Sequence, residues 1–122
     1  MDNLELLKGI YGRTIDPAQH LTSDFTLHTP GNSPLAGKFV GLEEFGQHLE
    51  AIQELSNGTF KLEPLTFMAA DDWGLCISRL TAERNGKSLD TNGFGLWRFE
   101  DGKLAEHWEY NRHAAEWDRF WS

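Results

Sequence analysis

Basic residues, cysteine and long apolar runs are all scarce in this 122-residue chain. Eleven Lys and Arg stand against nineteen Asp and Glu, for a formal net charge of −8, and the cations form no run. Recognition of a phosphate backbone needs clustered cations, so no nucleic-acid partner is expected. No apolar stretch approaches the roughly 20 residues of a membrane span, so no membrane partner is expected either. The N-terminal MDNLELLKGIYGR lacks the basic region and apolar core of a secretion signal. A single Cys76 cannot close an internal disulfide, which suits a reducing, cytoplasmic location. His20, His28, His48, His107 and His113 show neither HxH nor HExxH spacing, and GxGxxG, P-loop and GxSxG motifs are missing. Neither a metal nor another cofactor is expected.

Aromatic residues, by contrast, are plentiful, with eight Phe and five Trp. Such side chains suit a thick core, an apolar ligand cavity or an interface. The length is that of one domain, 1–122, without repeats or a low-complexity linker. Asp2 can cap a short helix carrying Leu4, Leu7 and Tyr11, and Asp16-Pro17 is a second helix start. A strand over Asp24–Thr29 carries His28 at its end, just before the turn-rich PGNSPLAG. From Gly41 the spacing of Phe45, His48, Leu49 and Ile52 predicts a helix that stops at Ser56-Asn57-Gly58. Four strands follow, over Thr59–Ala69, Gly74–Arg84, Lys87–Glu100 and Lys103–Asn111, and Asn111 can cap a closing helix bearing Ala114, Trp117, Phe120 and Trp121. The order predicts an α+β fold with helices on one face of a curved sheet.

Asn85-Gly86 and Asp101-Gly102 suit type I′ hairpin turns, and these turns set a register. Pairing Arg84 with Lys87 sets Leu75 opposite Leu96, Ile77 opposite Phe94, Arg79 opposite Asn92 and Thr81 opposite Asp90. Pairing Glu100 with Lys103 sets Leu96 opposite His107, Phe94 opposite Glu109 and Asn92 opposite Asn111. Cross-strand partners project together. One face then carries Leu75, Ile77, Phe94 and Leu96 with Arg79, Asp90, Asn92, His107, Glu109 and Asn111. The other carries Leu80, Ala82, Leu89, Trp97, Phe99, Leu104, Trp108 and Tyr110. Two apolar-rich faces need two covers, so a homodimer packed through the sheet face of Trp97 and Trp108 is expected. A β-bulge would swap the faces locally, and Gly93 and Gly95 make one plausible.

LHTPGNSPLAGKFVGLEEF, TAERNGKSLD and LWRFEDGKLAEHWEY, taken in order, resemble the SnoaL-like branch of the ketosteroid isomerase and nuclear transport factor 2 superfamily. The resemblance runs from about Thr22 to the end. It implies a cone-shaped, strongly curved, mainly antiparallel (mixed) sheet wrapped around N-terminal helices and enclosing a pocket. It places His28 where ketosteroid isomerases carry a carboxylate base, with an imidazole in its stead. Tyr11 stands for their helix-borne tyrosine. In SnoaL-like cyclases paired polar residues on late strands act on substrate, a region that here holds Asp90, Asn92, His107 and Glu109.

The reading is a small-molecule pocket protein acting without cofactor on a lipophilic, carbonyl-bearing molecule by general acid/base proton transfer. Isomerase, cyclase and hydratase chemistry all fit. The candidate acid/base groups are His28, His107 and Glu109, and the candidate substrate contacts are Tyr11, Arg79, Asp90, Asn92, Phe94, Leu96 and Asn111. Blander readings stand beside these. His28 can anchor its loop, Arg79 can balance charge across the sheet, and Asp90 can be solvated. A non-catalytic ligand-binding or interaction module of the same fold is the alternative for the whole chain.

Overall fold

A computed structural model describes all 122 residues. The order is α1 (Asn3–Tyr11), a 3-10 turn (Pro17–Gln19), β1 (Leu21–Thr29), β2 (Gly37–Val40), α2 (Gly41–Leu55), β3 (Lys61–Ala70), β4 (Trp73–Arg84), β5 (Lys87–Glu100), β6 (Lys103–Asn111) and α3 (Ala114–Trp121). Asp2 caps α1 as expected. Its carboxylate accepts the Glu5 N–H at 2.8 Å, and the Glu5 side chain takes the Asp2 N–H in return. Asn85-Gly86 and Asp101-Gly102 both hold the paired positive φ of type I′ turns. The closing helix starts from His113 rather than Asn111. The short strand β2 and the first residues of β1 escape the sequence reading.

The six strands form one open sheet in the order β2-β1-β6-β5-β4-β3. All neighbours are antiparallel except β1 and β6, which run parallel. The architecture is the expected α+β one, a curved mixed sheet with all three helices on its concave side. No helix is long and apolar enough to cross a membrane.

The β4–β5 register is the one the Asn85-Gly86 turn predicts, with Leu75 opposite Leu96, Ile77 opposite Phe94 and Arg79 opposite Asn92. The β5–β6 register is not. It starts as expected with Glu100 opposite Lys103 and Phe99 opposite Leu104, then slips by one residue, so that Arg98 faces Glu106 and Trp97 faces His107. Leu104 and Ala105, neighbours in sequence, are both buried. That is the mark of a bulge, and it lies in β6 rather than at Gly93 or Gly95. Beyond the slip every side chain changes face. His107, Glu109 and Asn111 join Trp97, Gly95 and Gly93 on the concave side, while Trp108 and Tyr110 turn to the convex side beside Leu96 and Phe94.

Two clusters fill the concave side. The first joins Leu6 and Leu7 of α1 and Phe45 of α2 to Phe25, Leu27, Trp97, Phe99 and Leu104 of the sheet. The second joins Ile52 of α2 and Trp117, Phe120 and Trp121 of α3 to Leu80, Ala82 and Leu89, with Leu35 from the β1–β2 loop. Trp97 is 3% exposed within one chain, so it cannot form an interface as expected.

Candidate functional site

Between the two clusters the concave face turns polar. Glu109 of β6, Thr29 at the end of β1 and His48 of α2 meet there. His48 Nε2–H donates to Glu109 Oε1 at 3.0 Å, and the Thr29 hydroxyl donates to the same oxygen at 2.5 Å. Glu109 Oε2 has no protein partner, and 30% of the side chain remains exposed while His48 is buried. Burial alone would raise the Glu109 carboxyl. The His48 hydrogen bond and charge, then His107 and Thr29, outweigh it and hold the group below its ordinary value. The result is a fixed carboxylate with one oxygen anchored and the other free.

His107 lies two residues before Glu109 on the same face. Its Nδ1–H donates to the Leu96 carbonyl at 3.1 Å, which leaves Nε2 as the acceptor nitrogen. Burial lowers its pKa to about 4 against the opposing pull of Glu109, so the ring is neutral. The Tyr11 hydroxyl accepts from Trp97 Nε1 at 3.0 Å. Burial, and then the nearby Cys76 thiol, raises Tyr11 well above its usual value, so it keeps its proton.

A cleft of about 350 Å³ reaches this group where β1 and β6 diverge. It is lined by His28, Thr29, Pro30, Gly37, Lys38, Trp108, Glu109 and Tyr110. A larger cleft, about 420 Å³, lies between the end of α2 and the β4–β5 turn, but it has no hydrophobic lining residue and none of the buried titratable groups. The chemistry therefore points to the smaller one. No three His, Cys, Asp or Glu side chains converge so as to hold a metal ion.

The SnoaL-like domain model matches residues 14–107. The chain belongs to the SnoaL-like domain family. A search of curated proteins finds no match. Among solved structures, Bal32a from a soil-derived mobile gene cassette is 31% identical, over 85% of this chain and 80% of that one, with a TM-score of 0.80. A Xanthomonas campestris protein of unknown function with a cystatin-like fold is 30% identical, over 100% and 99%, at 0.88. A candidate SnoaL-like polyketide cyclase from Jannaschia sp. CCS1 shares the fold at 14% identity, over 98% and 92%, at 0.76.

In this SnoaL-like domain the sequence-predicted residues divide between two faces. Glu109, His107, Tyr11 and Asn111 lie on the concave side, because the bulge in β6 moves three of them there. Arg79, Asp90, Asn92, Phe94 and Leu96 are convex. Arg79 and Asp90 form an exposed two-pronged ion pair at 2.9 and 2.7 Å, a charge-balancing arrangement. Phe94 stacks on Tyr110 with centroids 4.8 Å apart. His28 also projects to the convex side, where it stacks on Trp108 and bonds Glu106 at 2.5 Å. Arg98 supports the same carboxylate at 3.3 Å. His28 and Glu109 line the same cleft, but His28 and His107 occupy opposite faces.

Sequence reasoning missed His48, Thr29 and Glu106 as site residues. A signal for His48 was available, since it falls on the apolar stripe of α2 between Phe45 and Ile52. Leu49, assigned to that stripe, is exposed, so the buried face is narrower and His48 is at its centre.

Proposed function

We propose that this SnoaL-like protein binds a small lipophilic, carbonyl-bearing molecule and moves a proton on it without a cofactor. The observation that carries this is the Glu109 carboxylate. It is held ionised by His48 and Thr29 through one oxygen, the other oxygen has no protein partner, and the residue lines a cleft. A carboxylate so placed takes a proton from carbon next to a carbonyl, the step shared by isomerisation, cyclisation and dehydration. Tyr11, protonated and beside Trp97, is the candidate donor to the developing enolate oxygen. Neutral His107 is the candidate to accept or relay a proton through Nε2, and His28 is a candidate acid/base group at the convex rim of the cleft. The small-molecule role named for the Jannaschia protein fits this reading.

A second reading has its own support. Tyr11, Phe67, Trp97, Phe25 and Phe45 interlock with centroid spacings of 5.2–6.3 Å and fill much of the concave space. A non-catalytic ligand-binding or interaction module would look the same. Proton exchange separates the two. In heavy water, the wild type should speed deuterium uptake at the acidic carbon of 2-tetralone, and Glu109→Gln should lose about two to four orders of magnitude of that rate. A wild type that leaves the ketone at its solvent rate favours the module.

A further inference from the structure

Glycine follows asparagine at three places in the chain, Asn57-Gly58, Asn85-Gly86 and Asn92-Gly93. Asparagine is a thermolabile residue. A glycine after it leaves the backbone nitrogen unshielded by a β-carbon, so that nitrogen can approach the side-chain amide. The fold treats the three dipeptides differently.

Asn57 and Gly58 follow α2 and are exposed. The Gly58 N–H donates to the Gln53 carbonyl at 2.8 Å, which ties up the nitrogen that would attack. Asn92 and Gly93 lie within β5, with Gly93 opposite Ser78 of β4 and Asn111 of β6. The Asn92 side chain donates to the Ser78 carbonyl at 3.4 Å, and its main-chain carbonyl accepts the Arg112 N–H at 2.9 Å. A rotation about Asn92 would break the ladder on both sides. Asn85 and Gly86 form the exposed turn between β4 and β5, at φ +50° and +77°. The Gly86 N–H donates to no backbone acceptor, and open space lies where a β-carbon of Gly86 would point. Asn57, Asn85, Arg84 and Lys87 all line the polar cleft of about 420 Å³. Solvent thus reaches Asn57 and Asn85 alike, and the glycine N–H sets them apart.

We propose that Asn85 is a self-modifying site, converting to aspartate and isoaspartate in the folded protein ahead of Asn57 and Asn92. The deprotonated Gly86 nitrogen attacks Asn85 Cγ. The N–Cγ bond forms, the Cγ–Nδ2 bond breaks, and ammonia leaves with a proton from water. Water then opens the cyclic imide at either carbonyl. One opening leaves aspartate, and the other leaves isoaspartate, with an extra carbon in the main chain. The new charge falls between Arg84 and Lys87. Arg84 Nη1 donates to the Ser122 carbonyl at 2.9 Å, and Lys87 Nζ donates to the Arg119 and Ser122 carbonyls at 2.8 and 3.1 Å. These bonds tie down the end of α3, the helix of Trp117, Phe120 and Trp121. A carboxylate at position 85 competes for both cations, so the modification loosens α3.

Cleavage after Lys and Arg places Asn57, Asn85 and Asn92 on separate peptides, so mass spectrometry follows each one. Wild type is kept folded in mildly alkaline buffer and, in parallel, unfolded in concentrated urea. In the folded chain the Asn85 peptide should gain the mass of deamidation about tenfold faster than the others, which react only through local opening. In urea the three rates should converge, because each asparagine precedes glycine. Asn57 or Asn92 converting as fast as Asn85 in the folded chain overturns the site. An Asn85 lead that persists in urea also overturns it, since the fold would not be its cause. Asn85→Asp reads the link to α3, adding the charge without lengthening the chain. Asp-Gly forms the same turn at Asp101-Gly102, so the variant keeps its hairpin. Its Phe120 and Trp121 amides should exchange with solvent several-fold faster than those of wild type. Unchanged exchange overturns the link.

Discussion

His107 lies flat on Trp97, with ring centroids 3.6 Å apart and planes 12° from parallel. The contact exists because the β6 bulge turns His107 to the concave face, where burial lowers the basicity of the imidazole. In the unfolded chain an imidazole titrates near 6.5, but in the fold this one titrates near 4. Above pH 6.5 both states are neutral. As pH falls from 6.5 toward 4, only the unfolded chain takes up the proton, so stability declines, by about 3 kcal/mol across the window. His107→Phe keeps the stacking and removes the titration. Urea denaturation at pH 7 and pH 4.5 should show a smaller acid loss in the variant than in the wild type, and equal losses would contradict the assignment.

The pH dependence of proton transfer should look different. Glu109 is held below the ordinary carboxylate value, so the proposed base is ionised throughout neutral and mildly acidic solution. The rate should stay flat as pH falls through neutrality and drop only through that depressed value. An imidazole acting as the base would instead break the profile near 6.5. Glu109→Gln should abolish the acid limb along with the rate. A profile that breaks near neutrality and survives Glu109→Gln would move the chemistry to a histidine.

Most of the scaffold is legible in local sequence, because caps and turns are local. Asp2 with Glu5, Asn85-Gly86 and Asp101-Gly102 each act through their neighbours, and each marks an element end that the structure keeps. The candidate site is less legible, because it depends on one residue of register. Ala105 carries no turn chemistry and no unusual propensity, so nothing in the sequence marks the bulge there. Its insertion nevertheless carries His107 and Glu109 across the sheet and brings Trp108 out. Thr29 and His48 meet Glu109 only through tertiary packing, which no spacing encodes.

Gly95 holds the site open where three rings converge. A β-carbon there would lie 2.6 Å from His107 Cε1, 2.6 Å from the Tyr11 hydroxyl and 3.2 Å from Trp97 Nε1. All three are packed side chains with little room to yield. Gly95→Ala should destabilise the fold by about 1–3 kcal/mol, as overpacking does. It should also weaken the Trp97-to-Tyr11 hydrogen bond, visible as a shift of the Trp97 indole N–H. Gly86→Ala, at an open turn with nothing within 4 Å, should cost only backbone strain and leave that resonance unmoved.

The convex face is the proposed dimer surface, in place of the face that Trp97 was expected to share. Trp73, Phe94 and Tyr110 are 45%, 40% and 39% exposed there, with the Trp108 ring tilted against Trp73. A patch of large aromatic residues on a sheet face that no helix covers is suited to burial by a second copy of the chain. Light scattering well above micromolar concentration should give twice the mass of one chain. Phe94→Glu should return it to one chain with the circular dichroism unchanged, because that side chain points outward. Trp97→Glu should instead unfold the chain, since its charge would be buried without a partner among Phe25, Tyr11 and His107. If the wild type is monomeric, or if Phe94→Glu leaves the dimer intact, the convex face is not the interface.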